Sequence, residues 1–190
     1  MSNANESNGF TLLELMVVLA IVAILATIAA PSFTAMIQSN TMSTTVNTFL
    51  ADVRYARSES IRRGGGVVMC RSDAPEIVNP KCGTGSGPNG KGWVSGWIIF
   101  HNLNGSQQKD NNEPLLRAQS PITSINSLTE AGGSSSTKFQ FTGTGRMNLS
   151  SATTLQFGSL PQFENKAQRT VCVSLGGHVR IAGDGFASCS

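Results

Sequence analysis

The chain begins with a short polar segment and then changes to a long apolar run. Nearly every position from Phe10 to Ala30 is apolar, and Pro31 follows directly. As a helix, residues 10–30 would extend about 31 Å at about 1.5 Å per residue, enough to cross the hydrocarbon core of a bilayer. The pattern therefore predicts a single membrane-spanning helix over residues 10–30.

Beyond Pro31 the apolar positions recur at intervals of three and four residues, which places them on one face of a helix. These positions are Met42, Val46, Phe49, Leu50, Val53, Ala56 and Ile61. Because a helix can continue past a proline with a kink, the pattern predicts one long helix over residues 10–64. Glu59 precedes Arg62 and Arg63 by three and four residues and should support the last turn, and the glycines that follow should end it.

From residue 65 onward the pattern changes to short segments rich in β-branched and aromatic residues. The predicted strands are Val67–Arg71, Trp93–Phe100, Leu115–Gln119, Lys138–Thr142, Thr153–Phe157, Thr170–Leu175 and His178–Ala182. Short strands separated by Gly, Asn and Ser favour an antiparallel sheet. The fold class is therefore α+β, in which a sheet domain over residues 65–190 covers the second half of the helix.

The apolar run contains one charged residue, Glu14. An ionised Glu in the bilayer costs at least about 2.5 kcal/mol, so it calls for a partner. A cleaved secretory signal would show a basic start, a shorter apolar core and a small-x-small cleavage site, and none of these is present. A plain one-pass anchor would explain the length of the run but would leave Glu14 unexplained.

The motif G-F-T-L-L-E-L, from Gly9 to Leu15, resembles the class III signal of type IV pilins and type II secretion pseudopilins. The resemblance implies that a prepilin peptidase removes residues 1–9 as a leader and that the new amino group of Phe10 is methylated. It also implies that Glu14 pairs with the amine of a neighbouring subunit during assembly. The leader departs from the family pattern because it contains no Lys or Arg.

Three further segments are similar to the GspH/FimT branch of minor pilins and minor pseudopilins. They are F-L-A-D-V-R-Y-A-R-S-E-S-I-R-R-G (Phe49 to Gly64), G-W-V-S-G-W-I-I-F (Gly92 to Phe100) and R-T-V-C-V-S-L-G-G-H-V-R-I (Arg169 to Ile181). This resemblance implies a type IV pilin-like fold and a non-enzymatic subunit that assembles with other pilin or pseudopilin subunits. The chain would be anchored in the bacterial inner membrane, with its C-terminal domain in the periplasm, and then enter a pilus or pseudopilus filament.

Four cysteines, Cys70, Cys82, Cys172 and Cys189, lie in the predicted sheet domain. An even count in an exported domain indicates two disulfides. Three connectivities are possible, and we favour Cys70–Cys82 with Cys172–Cys189 because each closes a short loop. A zinc site is disfavoured, since Cys-x-x-Cys spacing is absent.

Other candidate chemistry is weak. Residues 85–90 spell G-x-G-x-x-G without the strand before and the helix after it that dinucleotide binding needs. The loop over residues 102–113 contains only two carboxylates, Asp110 and Glu113, and lacks EF-hand spacing, so a solvated hairpin is favoured over a calcium site. His101 and His178 lack the context of a nucleophile or a metal site. We expect no catalytic residue, metal or cofactor.

The alternative hypothesis is binding of double-stranded DNA. With a formal net charge of +3 the chain is only modestly basic, which by itself does not indicate a polyanion partner. Some FimT-type minor pilins bind DNA for uptake through a C-terminal G-R-x-R motif, and the corresponding residues here are Gly177-His178-Val179-Arg180. One arginine is thus replaced by a histidine. Arg146 and Arg169 would add charge if they shared a face with Arg180, although scattered solvated arginines remain the favoured interpretation.

Overall fold

The structure is a computed structural model that describes residues 10–131, 135–149, 151–161, 167–184 and 189. Helix α1 runs over Leu12–Arg63, two residues later at its start and one residue earlier at its end than predicted. The chain divides into two compact units, of which one ends at Ile37 and the other begins at Gln38. Pro31 lies inside the first unit and within α1.

Eight strands follow the helix in the described part of the chain. They are β1 (Gly65–Arg71), β2 (Trp97–His101), β3 (Leu115–Gln119), β4 (Ser127–Glu130), β5 (Lys138–Thr142), β6 (Thr153–Gly158), β7 (Arg169–Val173) and β8 (Val179–Asp184). The first sheet has the order β3-β2-β1-β5, and the second sheet has the order β4-β6-β7-β8. All pairs within both sheets are antiparallel. One antiparallel sheet was expected, and the described residues form two.

The second unit is built around the apolar face of α1. Six of the seven predicted positions are buried, and they belong to a core cluster shared with both sheets. The seventh, Ile61, is 52% exposed, so that prediction was wrong. Ile61 follows Ala56 by five residues, which turns it off the buried face at about 3.6 residues per turn. Ser60 is buried instead and donates a hydrogen bond to the carbonyl of Thr142 in β5.

Phe49 lies at the centre of this core. Its ring meets four others edge to face, with centroid distances of 5.8 Å to Trp93, 5.4 Å to Trp97, 6.5 Å to Phe139 and 5.8 Å to Phe157. Trp97 and Phe139 belong to the first sheet and Phe157 to the second. Edge-to-face pairs contribute about 0.5–1.5 kcal/mol beyond their buried area. One helical side chain therefore joins the helix to both sheets.

A buried carboxylate on the same helix contacts the first sheet. Asp52 is 2% exposed and accepts a hydrogen bond of 2.8 Å from the indole N–H of Trp97. Arg117 of β3 donates to its other oxygen, and the guanidinium of Arg117 also lies 4.3 Å from the ring centroid of Tyr55. Since an unpaired charge is costly to bury, these partners are what allow a carboxylate at this position.

The end of α1 has the predicted ion pairs. Glu59 accepts hydrogen bonds from Arg62 (3.0 and 2.7 Å) and from Arg63 (2.8 Å). These bonds, from Arg62 first and then Arg63, hold the pKa of Glu59 at about 2, below its ordinary value of 4.5. Gly64 then adopts a φ of +78°, a left-handed conformation that L side chains rarely take, and β1 begins at the next residue. The predicted stop is confirmed.

The opposite face of the first sheet is covered by loops. Val68, Cys70, Ile98 and Phe100 form a small buried cluster there with Cys82. At the end of β1 the side chain of Arg71 is fully buried and donates to the carbonyls of Ser135 and Thr84, at 3.0 and 2.6 Å, and to Asp73. Arg71 therefore holds the loop after β1 in place, a role that no sequence pattern indicated.

One predicted strand needs correction, and one observed strand was not predicted. The segment Trp93–Phe100 is not one strand, because Trp93–Ser95 forms a 3₁₀ turn and β2 begins at Trp97. Gly96 separates them with a φ of +104°, and a Cβ there would lie 2.4 Å from the carbonyl oxygen of Gln119. Strand β4 was not predicted at all. Of the remaining predicted strands, Leu115–Gln119 and Lys138–Thr142 have the predicted limits, and the others have ends shifted by one or two residues.

Candidate functional site

The N-terminal site lies at the start of α1. Gly9, the residue before the predicted cleavage point, lies outside the described residues. Phe10 is 83% exposed. The hydroxyl of Thr11 accepts a hydrogen bond of 3.2 Å from the backbone N–H of Glu14, which places Thr11 at the N-cap and Glu14 in the first turn. This is the first half of a capping box, a pattern legible in T-L-L-E that our sequence interpretation missed.

The capping geometry offers a second explanation of Glu14. A carboxylate in the first turn interacts favourably with the helix dipole by about 0.3–1 kcal/mol at an exposed position. The cost of at least about 2.5 kcal/mol applies to a charge at the centre of a membrane-spanning helix, whereas Glu14 lies in the first turn of α1. Capping and a charged partner are both compatible with a carboxylate at this position.

Within the first unit, α1 presents apolar side chains on all sides. The exposed large residues there run from Leu12 to Ile37. Part of α1 is long and apolar enough to cross a membrane, and none of that window is buried within the protein. A helix that is apolar all round is a membrane span or is covered by other protein.

Both disulfides have the pairing that we favoured from the sequence. Cys70 bonds Cys82 with 5.5 Å between their Cα atoms, and Cys172 bonds Cys189 with 5.6 Å. The first bridge joins β1 to the loop that follows it, and the second joins β7 to the C-terminal end of the chain. With all four cysteines in disulfides, no thiolate is available to ligate zinc.

Arg57 of α1 contacts two turns of the sheet domain. Its guanidinium lies 3.1 Å from Nδ1 of His178 in the turn before β8. The turn before Arg146 packs on the same side chain, since a Cβ at Gly145 would lie 2.9 Å from Arg57 Nε. Arg57 therefore contacts His178 and lies against the turn at Gly145, the residue before Arg146.

The sequence analysis also named Arg180 and Arg169 as candidate DNA-binding residues, and the pairing of β7 with β8 shows which face of the sheet each occupies. Arg180 of β8 pairs with Cys172 of β7, and Arg169 lies three positions before Cys172. Because side chains alternate along a strand, Arg180 shares a face with Cys172 whereas Arg169 shares the opposite face with Val171. Arg169 also donates to the carbonyl of Gln168 at 2.9 Å. Arg169 and Arg180 thus lie on opposite faces of the sheet, so Arg169 does not add its charge to the face of Arg180.

Sequence reasoning missed Arg57, which lies on the helix 121 residues before His178. Its helical position gave no sign of a contact with a distant hairpin. The remaining weak candidates have structural roles. Both oxygens of Glu113 accept backbone N–H groups, from Leu103 at 2.7 Å and from Asp110 at 2.9 Å. The glycine-rich residues 85–90 lie in a loop with a 3₁₀ turn at Pro88–Gly90.

The search of curated proteins finds no match. Among solved structures, the fold is similar to that of the type IV minor pilin FimU of Pseudomonas aeruginosa strain PAO1 in two crystal forms. One form gives a TM-score of 0.52 at 15% identity and covers 76% of this chain and 98% of that chain. The other gives 0.56 at 14% identity and covers 78% and 95%. At this identity the likeness shows the fold alone.

Two family profiles match the chain itself. The profile described as prokaryotic N-terminal methylation motif matches residues 5–30, which include the apolar run and Glu14. The profile described as type II transport protein GspH matches residues 45–177, from the buried face of α1 to the β7–β8 turn. Because this match spans well over half of the sequence, the chain belongs to the GspH family, and its long helix with antiparallel sheets is the type IV pilin fold.

Proposed function

We propose that this chain is a non-enzymatic minor subunit of a type IV pilus or type II secretion filament, assembled through its N-terminal helix. A prepilin peptidase cleaves between Gly9 and Phe10, and the new amino group is methylated. The inner membrane holds residues 10–30 before assembly, and the domain that follows lies in the periplasm. The observation that carries the proposal is an apolar helix with Glu14 in its first turn, continuous with a disulfide-bonded pilin-like domain.

Glu14 supplies the specificity of assembly in this proposal. When the helix leaves the bilayer for the filament, the carboxylate meets the methylated amine of a neighbouring subunit, and each charge neutralises the other in a low-dielectric environment. An unpaired charge there would be costly, so correct register is favoured over slipped packing. The exposed apolar residues 12–37 supply the remaining contact surface.

The experiment that tests this proposal replaces Glu14 by Val in the full-length chain. The variant should be cleaved and methylated normally, because processing depends on Gly9, but it should be absent from sheared filaments. Normal incorporation of the variant would contradict the pairing. A clean deletion, scored in parallel for twitching, exoprotein secretion and transformation, then assigns the filament system.

A second candidate function is binding of double-stranded DNA, and the contact of Arg57 with His178, beside the turn that leads to Arg146, favours it. Phosphate contacts of this kind are sequence-independent and lose affinity steeply with salt, because binding releases counterions.

Gel shifts of the soluble domain at low salt test the DNA hypothesis. Replacing Arg180 by Ala should weaken binding, and His178→Arg should strengthen it by adding a charge beside Arg57. If neither the natural domain nor the His178→Arg variant shifts duplex DNA, the hairpin is not a DNA site and the filament function stands alone.

A further inference from the structure

The two sheets differ in how their edge strands are covered. The first sheet ends at β3 and β5, and the second ends at β4 and β8. The N–H of Asn148 donates to the carbonyl of Gln140 on the outer side of β5 at 2.8 Å. The N–H of Leu128 in β4 donates to the carbonyl of Lys91 at 3.0 Å. Strand β8 leads into residues 185–188, outside the described part of the chain. At β3, no backbone hydrogen bond from the described residues reaches the outer edge.

The backbone groups of Ala118 point outward from this edge. The N–H of His101 in β2 donates to the carbonyl of Pro114 at 3.0 Å, which lies on the β3 side. Because backbone groups alternate along a strand, Ile99 also faces β3, where it pairs with Arg117. Ala118 is the next residue, so its N–H and C=O face away from β2. Neither group has a backbone partner among the described residues.

The side chains of β3 do not protect this edge. Leu115 is 39% exposed and Ala118 is also exposed. The strand contains neither Lys nor Pro, the residues with which natural edge strands block further pairing. Its one charged residue, Arg117, is already paired with the buried carboxylate of Asp52. The edge is therefore accessible and offers unpaired backbone groups without an unpaired charge.

We propose that β3 receives an extended segment from the sheet domain of a neighbouring filament subunit, which pairs with its outer edge as a fifth strand. The inference rests on the proposed function and goes beyond it by naming a contact surface outside the N-terminal helix. An open edge presents N–H and C=O groups at the spacing of another strand, so an extended chain satisfies both. A helix does not, because its own backbone groups bond internally.

The surroundings of β3 indicate which side chains the added strand carries. Gln119 of β3 lines a groove of about 290 Å³ together with residues 121–124 and with Thr44, Thr45 and Thr48 of α1. A strand paired with β3 places one row of side chains on the α1 side of the sheet, beside this groove. None of the residues that line the groove is charged, so a charge buried there would have no partner. We expect uncharged polar side chains, such as Ser, Thr or Asn, in that row.

The test removes the outward N–H of Ala118 in the full-length chain. Ala118→Pro should still fold with both disulfides, because proline is accepted on an edge strand where its nitrogen faces solvent. It should lower the fraction of the chain recovered in sheared filaments at least about fivefold, since the added strand loses a hydrogen bond. Ala118→Val, the matched control, keeps the N–H and should be recovered like the natural chain.

A second variant decides the question if the proline variant does not fold. Ala118→Lys leaves the backbone intact and places on β3 the residue that most often blocks edge pairing, so it should lower recovery to a similar extent. A photo-crosslinking amino acid at position 118 should capture a peptide from the sheet domain of another subunit.

The outcomes separate this inference from the proposed function. If the natural chain is absent from filaments, the proposed function fails and this inference fails with it. If the natural chain is incorporated and the folded Ala118 variants are incorporated equally well, only the assignment of the β3 edge is overturned. Crosslinks from position 118 to N-terminal helices or to lipid alone would also overturn that assignment.

Discussion

At the level of single residues, the contact of Asp52 shows how one polar side chain can join the helix to a sheet. Its carboxylate is buried and accepts from Trp97 and Arg117, so both donors depend on it. Phe49, one turn earlier, makes the corresponding apolar contact with both sheets. The two residues stabilise the same contact by different means, and they should respond differently to mutation.

Replacing Asp52 by Ala should destabilise the domain by about 1–3 kcal/mol, the cost of leaving the buried indole N–H of Trp97 without an acceptor. Urea unfolding of a fragment that begins at Gln38 measures this change. The double variant with Trp97→Phe should lose less than the sum of the two single changes, because the unpaired donor is gone. Strict additivity would show that the hydrogen bond contributes nothing.

Glu59 should make stability depend on pH in a defined range. Its pKa falls from 4.5 to about 2 in the folded domain. The folded state therefore binds its proton less readily than the unfolded chain, so the stabilisation is present above pH 4.5 and is lost as the pH falls towards 2. Because Arg62 is largely exposed, Glu59→Gln should cost less than about 1 kcal/mol at pH 7.

Unfolding measured between pH 7 and pH 2 tests this expectation. The difference in the free energy of unfolding between the natural domain and Glu59→Gln should be constant down to about pH 4.5 and should shrink towards zero below it. Glu76→Gln, which removes a carboxylate from an exposed loop, serves as the control. If this stability difference remained unchanged at pH 2, the ion pairs of Glu59 could not be its cause.

At the level of secondary-structure elements, β7 lies between β6 and β8 and carries one half of the second disulfide. Val171 and Val173 point from this strand into the core, whereas Cys172 points away from it to Cys189. The strand is thus held through hydrogen bonds on both edges, through the core on one face and through a covalent bond on the other.

Cys172→Ser should lower the stability of the soluble domain by about 2–5 kcal/mol, as expected for a disulfide lost from a small exported domain. The natively exported protein should show no free thiol until it is reduced, and the variant should show one, from Cys189. Thiol titration under denaturing conditions and a melting curve measure both effects. Two or more free thiols in the natural protein would contradict the assignment.

The strands illustrate which features can be predicted from a single sequence. Period-two segments such as Lys138–Thr142 are local patterns, and they were found with their correct limits. The break at Gly96 was missed because it results from close approach of Gln119, which is distant in sequence. Strand β4, S-L-T-E, was missed because it is short and has little β-branched content. Its place in the sheet depends on pairing with β6.

The same distinction holds for the candidate site. The methylation-type motif is contiguous in sequence, so it could be recognised without a structure. The contact between Arg57 and His178 joins residues that are 121 positions apart in the chain. It has no local signature in the sequence, so only the folded structure could show it.

At the level of the whole molecule, the proposed function requires cleavage between Gly9 and Phe10 before the helix can assemble into a filament. Replacing Gly9 by Val should leave the full-length precursor in the membrane, since the peptidase would no longer recognise its site. An immunoblot should show only the longer form, with the natural chain giving the processed band beside it. A processed band from the variant would contradict the cleavage assignment.

The placement of the tryptophans gives the protein a spectroscopic probe of its own. The sequence contains two, Trp93 and Trp97, and both are fully buried against Phe49 of the helix. Their emission should lie at short wavelength in the folded domain and shift to longer wavelength when water reaches the indoles. Because both rings sit between α1 and the sheets, intrinsic fluorescence will report separation of the helix from the sheets without any added label.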